Sequence, residues 1–158
     1  MSTSEKNLSA QAISNKMNVR EKKFGLVVSE WNEEVTEALF EAAYQTLIDH
    51  GAIRENIFRK NVPGSFELSL GAQWLAQSEN IDAVICLGCV IQGETRHFEF
   101  ICQSVAQGIK DVALKYNKPV IFGVLTTDTK QQALDRAGGK HGNKGDEAAV
   151  TAIKMLNF

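Results

Sequence analysis

The stretch Ile81 to Ile91 constrains this chain most, because from Ala83 onward it carries no charged or strongly polar side chain. A strand with one wet face alternates apolar and polar residues. A run that is apolar throughout must be covered on both sides, as in a parallel sheet with helices on each face. It is also far too short to cross a bilayer. The rest of the chain repeats the implied unit. Phe24-Gly25-Leu26-Val27-Val28 has strand length, and Asn32 then stands before Glu33 and Glu34 as a predicted N-cap with acidic residues favourable to the helix dipole. Val35, Ala38, Leu39, Ala42, Ala43, Thr46 and Leu47 follow at helical spacing, and Gly51 supplies the stop.

A second strand is predicted from Asn56 to Val62, ended by Pro63-Gly64, with Ser65 as the cap of a helix holding Leu68, Leu70, Ala72, Trp74 and Leu75. After the run to Ile91, a helix beginning near His97 puts Phe98, Ile101, Val105, Ile109, Val112 and Ala113 on one stripe and must end before Pro119. Val120 to Leu125 reads as a fourth strand, and Thr129 with Gln132 as a capping box. That helix breaks in the glycine-rich stretch Gly138 to Gly145, a flexible hinge by its composition, and a last helix runs from about Asp146 to Leu156. Strands alternating with helices give right-handed βαβ units. The expected fold is α/β, a flavodoxin-like three-layer α/β/α sandwich with a four-stranded parallel sheet, over residues 24–158. Residues 1–23 read as a polar N-terminal arm.

The chain has 158 residues, enough for one core without staples. A net charge of −2 gives no electrostatic footprint for nucleic acid. No apolar signal core opens the chain, and three cysteines without an export signal point to a reduced, cytoplasmic setting.

Ligands of open α/β sheets sit beyond the carboxyl ends of strands, where helix N-termini present free N–H groups. The loop Gln92-Gly93-Glu94-Thr95-Arg96 carries His97 to that place, and a side chain that titrates near neutrality suits general acid–base work. His50 stands at a helix end and His141 in the glycine-rich break, which leaves both without a comparable placement. Trp31 and Phe122, each at or beside a strand end, could stack on a flat heterocycle, and Arg136 could pair with a phosphate. Cys86 and Cys89 form C-x-x-C, but residues three apart in a strand face opposite sides and cannot bridge. A zinc reading that adds His97 and Cys102 fails on the same splay, so no metal is expected. Neither G-x-G-x-x-G, a Walker loop nor G-x-S-x-G appears, which removes dinucleotide, P-loop and serine-hydrolase readings. A flavodoxin-like electron carrier would need a Ser/Thr-rich phosphate loop after the first strand, and none is present.

Five motifs together resemble the 6,7-dimethyl-8-ribityllumazine synthase family. They are Trp31-Asn32-Glu33, Val62-Pro63-Gly64-Ser65-Phe66-Glu67-Leu68, Gly93-Glu94-Thr95-Arg96-His97-Phe98, Phe122 to Asp128, and Arg136-Ala137-Gly138 through Gly142-Asn143-Lys144-Gly145. The resemblance covers roughly residues 24–158. It implies condensation of 5-amino-6-(D-ribitylamino)uracil with 3,4-dihydroxy-2-butanone 4-phosphate, releasing phosphate and water, in the penultimate step of riboflavin biosynthesis, with no cofactor. It implies that His97 transfers protons and Trp31 stacks on the pyrimidine, where the family commonly has Phe. Ser65, Phe66 and Glu67 would meet that substrate, with Glu67 on the ribityl hydroxyls. Cys89, Val90 and Ile91 would line the ring pocket through backbone groups. Glu94, Thr95 and Arg136 would receive the phosphate, and Phe122 would close the pocket from a neighbouring subunit, with Lys144 a further candidate near the phosphate and ribityl groups.

Two residues depart from the family pattern. Gln92 stands where many members carry Arg or Lys, and the larger ring at position 31 goes in some members with riboflavin binding. The resemblance further implies homopentamers, in some members twelve of them in an icosahedral shell. The arm would add to a neighbour's sheet edge, and riboflavin synthase would be a partner. A catalytically silent, flavin-sequestering relative is the rival reading, and intact His97, Arg136 and Glu67 argue against it.

Overall fold

Each apolar run becomes a strand. The structure, a computed structural model, describes residues 19–158. In chain order the elements are β1 (Phe24–Ser29), α1 (Glu33–Asp49), β2 (Ile57–Val62), α2 (Leu68–Ala76), β3 (Ala83–Ile91), α3 (His97–Tyr116), β4 (Val120–Thr127), α4 (Lys130–Leu134), β5 (Ala137–Gly139), β6 (Gly142–Asn143) and α5 (Lys144–Leu156). The main sheet has the order β2-β1-β3-β4, and every pairing in it is parallel.

The chain moves from β1 to β2 in one direction and from β3 to β4 in the other. With right-handed crossovers, opposite directions require opposite faces. One apolar layer accordingly joins Leu26 and Val28 of β1 to Leu39 and Leu47 of α1 and Ile153 of α5. The other joins Val27 to Leu68 and Ala72 of α2 and Val105 and Ile109 of α3. This is the expected three-layer sandwich. Fully burying a side chain such as Leu39 or Ile109 contributes about 1.5–3 kcal/mol, so both faces of the sheet are strongly held. Val19, inside the stretch that reads as polar arm, is itself fully buried in the first layer. The arm's first 18 residues lie outside the described residues.

Three local expectations are corrected. Asn32 stands before α1, but in the left-handed conformation (φ 62°, ψ 45°) and without a side-chain capping bond. Its Nδ2 instead donates to the carbonyl of Cys89 at 3.0 Å, so a long-range acceptor outcompetes the local one. Ser65 does not cap α2. Ser65–Glu67 form a 3-10 turn, and Glu67 Oε2 accepts from the N–H of Gly64 at 3.0 Å while the Ser65 hydroxyl turns inward.

The glycine-rich break is no loose hinge, because β5 and β6 pair antiparallel within it. Gly138 and Gly142 hold positive φ there (110° and 74°), which a larger residue adopts only with strain. Asn143 then caps α5 by accepting from the N–H of Gly145 at 2.8 Å, and donates to the carbonyl of Ala38 at 3.0 Å. A Cβ on Gly145 would fall 2.0 Å from the Leu39 carbonyl oxygen, so α5 lies against α1 with no room for a side chain there. The cap at α4 matches its expectation: Thr129 Oγ1 accepts from the N–H of Gln132 at 3.2 Å. The Gln132 side chain reaches back to the N–H of Asp128 rather than to that of Thr129.

Candidate active site

The strand order reverses between β1 and β3, and an α/β sheet opens a crevice beyond such a switch point. A cleft of about 700 Å³ lies there, lined by Trp31, Asn32, Gly64, Ser65, Phe66, Glu67, Cys89, Val90, Ile91, His97 and Ile101. Eight residues expected from the sequence therefore meet in one place: Trp31, Ser65, Phe66, Glu67, Cys89, Val90, Ile91 and His97.

The local structure explains the placement. The N–H of Trp31 donates to the Pro63 carbonyl at 3.1 Å, which joins the loop after β1 to the loop after β2. The Trp31 ring is left 73% exposed over the cleft. His97 opens α3, where the first N–H groups lack the i−4 acceptors of the helix interior, and that of Glu99 donates to the Arg96 carbonyl at 3.1 Å. Glu94 and Thr95 are exposed in the loop just before it, and Thr95 Oγ1 accepts from the N–H of His97 at 3.4 Å. Gln92 anchors that loop, its N–H donating to the Thr127 carbonyl at 2.8 Å and its Nε2 to the Gly93 carbonyl at 2.9 Å. Arg96 pairs with Glu99 at 3.0 Å along the helix.

Phe122 and Arg136 are elsewhere. Phe122 lies near the start of β4, opposite Cys86, and not at the carboxyl end that faces the cleft. It is 42% exposed at the outer edge of the sheet. There it lines a second hollow of about 1090 Å³ together with Arg136, Lys144 and Glu147. Arg136 is tethered through Nη1 to the Gln132 carbonyl at 2.9 Å, and Lys144 pairs with Glu147. Within one chain, neither Phe122 nor Arg136 lines the cleft that holds His97.

Cys86 and Cys89 are both free and fall in opposite apolar layers. Burial pushes the Cys86 thiol up to about 12 and that of Cys89 to about 11, so both stay protonated and weakly nucleophilic. Among the described residues no group of His, Cys, Asp and Glu could hold a metal ion. Nor is any helix there long and apolar enough to cross a membrane.

Three lining residues fall outside the sequence expectation: Gly64, which reads only as a strand stop, Asn32 and Ile101. Asn32 was taken as a cap, although its place beside Trp31 was a signal. Ile101 was taken as core, although it lies one helical turn after His97 and must share its face.

Residues 21–158 match the family model described as 6,7-dimethyl-8-ribityllumazine synthase. The chain belongs to that family. A 6,7-dimethyl-8-ribityllumazine synthase of Cytophaga hutchinsonii is 66% identical over 156 residues, covering 99% of this chain and 98% of the relative. The synthase of Parabacteroides distasonis is 55% identical over 158 residues, covering 100% and 99%. That of Flavobacterium johnsoniae is 54% identical over 155 residues, covering 98% of this chain and 82% of its own. The similarity to lumazine synthases thus extends over both hollows.

Proposed function

We propose that one copy of this chain supplies the cleft around His97, that a second copy supplies the hollow around Phe122 and Arg136, and that the reaction occurs where they meet. The reaction is that of the family. This transferase condenses 5-amino-6-(D-ribitylamino)uracil with 3,4-dihydroxy-2-butanone 4-phosphate to 6,7-dimethyl-8-ribityllumazine, releasing phosphate and water, in riboflavin biosynthesis. The observation that carries the two-copy reading is the separation of Phe122 and Arg136 from the cleft of their own chain.

Trp31 stacks on the pyrimidine, with Phe122 of a second copy completing the pocket. Backbone groups of Cys89, Val90 and Ile91 meet the ring edge, and Ser65, Phe66 and Glu67 meet the ring and the ribityl chain. The phosphate sits at the positive end of the α3 dipole, against Glu94 and Thr95, with Arg136 supplying the cation. An amine attacks the ketone, phosphate is eliminated, and the second amine closes the ring. His97 moves the protons, for a gain of roughly a hundredfold or more. Holding two intrinsically reactive substrates together contributes the larger share. Gln92 brings no charge to the phosphate, which leaves Arg136 a greater part of that binding.

The assembly proposed is a pentamer. The short hairpin at Gly138 to Asn143 favours the icosahedral shell over the free pentamer, and light scattering distinguishes the two. Riboflavin synthase is the proposed partner on family membership alone. Three free cysteines suit a reducing compartment such as the cytoplasm. The direct test mixes the two substrates with the protein and follows lumazine absorbance. No lumazine above the uncatalysed rate overturns the reading.

A further inference from the structure

The end of β1, the Ser65–Glu67 turn and β3 meet at three small residues, Ser65 in the lining of the cleft and Ser29 and Gly88 behind it. Ser29 closes β1 with none of its surface exposed, and Ser65 is 6% exposed. The hydroxyl oxygens of both are shut away from solvent, and neither has a hydrogen-bond partner among the protein's described groups. Gly88 of β3 lies against both. A Cβ at Gly88 would stand 2.7 Å from Ser65 Oγ, 3.3 Å from Ser29 Oγ and 2.8 Å from Leu68 Cδ1.

Strand alternation agrees with this convergence. Val27 points into the layer of α2 and α3, so Ser29, two residues on, rises on the same side as Leu68 and the turn. A buried hydroxyl without a partner is costly, and folded proteins rarely leave two side by side. Two hydroxyls that both border the empty Cβ position of Gly88 can satisfy each other by torsional adjustment, or share one water. A side chain at position 88 would crowd both hydroxyls.

We propose that Ser29 is a positioning residue of the active site. Its hydroxyl is linked to that of Ser65 across the bare face of Gly88, directly or through one water, and the link fixes the height of the Ser65–Glu67 turn against the pyrimidine. Ser29 does not line the cleft, so it acts through Ser65. The inference rests on the cleft being the pyrimidine site.

The test is a double-mutant cycle with Ser29→Ala, Ser65→Ala and the double variant, read in KM for each substrate and in melting temperature. Ser29→Ala is expected to raise KM for the pyrimidine about tenfold, the scale of one buried hydrogen bond, and to leave KM for the phosphate substrate within about twofold. In the Ser65→Ala background, Ser29→Ala should have almost no further effect. Equal changes in both KM values, or single effects that simply multiply in the double variant, overturn the proposal. If the wild type makes no lumazine, the reading of the cleft fails separately. The melting temperatures of the same four proteins still report the link, with non-additive shifts supporting it and additive shifts overturning it.

Discussion

The cleft beyond β1 and β3 and the hollow along β4 are built from different parts of the fold. The cleft is made of loops and a helix start, gathered by the reversal of strand order and pinned by single hydrogen bonds such as that from Asn32 to Cys89. The hollow is made of an edge strand and the flanks of α3 and α5, with its cations already tethered, Arg136 to a carbonyl and Lys144 to Glu147. The cleft holds His97 and not Arg136; the hollow holds Arg136 and not His97. On the two-copy proposal, neither hollow performs the family's reaction alone. If that proposal holds, the chain gains its chemistry by association, and substitutions in each hollow should have different effects.

The largest expected effect comes from dividing the two hollows between chains. His97→Ala should lower turnover about a hundredfold without abolishing it. Arg136→Ala should raise KM for the phosphate substrate by about tenfold to a hundredfold, the loss of a charge-assisted bond. Co-expressing the two variants should restore a substantial part of the activity, because some sites then pair an intact cleft with an intact hollow. A mixture no more active than the separate variants would falsify the two-copy site.

Gly145→Ala tests the wall of the hollow. The new methyl group meets the Leu39 carbonyl, so α5 must move away from α1. A stability loss of about 2–3 kcal/mol is expected in urea unfolding, as for other overpacked positions. An unchanged midpoint would mean that the helices have slack there.

Trp31→Ala tests the cleft. Loss of an aromatic–base stack should raise KM for the pyrimidine about tenfold and leave that for the phosphate substrate alone, whereas Trp31→Phe should stay near wild type. The same ring bears on flavin: quenching of added riboflavin fluorescence by the wild type and not by Trp31→Ala would support the product-binding role. Absence of quenching would count against it.

The smallest effect lies away from both hollows, at the ion pair of Arg59 and Glu37. Hydrogen bonding from Arg59 holds the Glu37 carboxyl below its ordinary range. A depressed carboxylate stabilises the fold above its unfolded pKa, and the contribution is lost as pH falls through the lowered folded value. Glu37→Gln should therefore melt about 2 °C or less below wild type near neutrality. The gap should close in acid. A gap that persists there would assign the loss to packing, where Arg59 also lies over the Phe40 ring at 4.3 Å.

The order of strands and helices was legible because long apolar runs and helical spacing are properties of continuous sequence. The run ending at Ile91 and the helix opening at His97 carried the position of the cleft with them. What was not legible depended on partners far along the chain. Asn32 had every local mark of a cap, but its acceptor belongs to Cys89, 57 residues away. Ser65 had the same marks, and its neighbour is Gly88. The hairpin of β5 and β6 is too short and glycine-rich to show alternation, so it read as a hinge. Phe122 was placed at a strand end because the register of β4 against β3 cannot be read from β4 alone.

The bond between Asn32 and Cys89 bears on the temperature dependence of ligand binding. With the Trp31 backbone held by Pro63 on one side and by this bond on the other, only the two side-chain torsions of Trp31 are free to freeze when a ring stacks on it. The ordering of the loop occurs on folding rather than on binding. Pyrimidine association measured by calorimetry should then show the small entropic penalty of a rigid platform. In Asn32→Gly, which keeps the left-handed turn but lets the loop move, that penalty should grow.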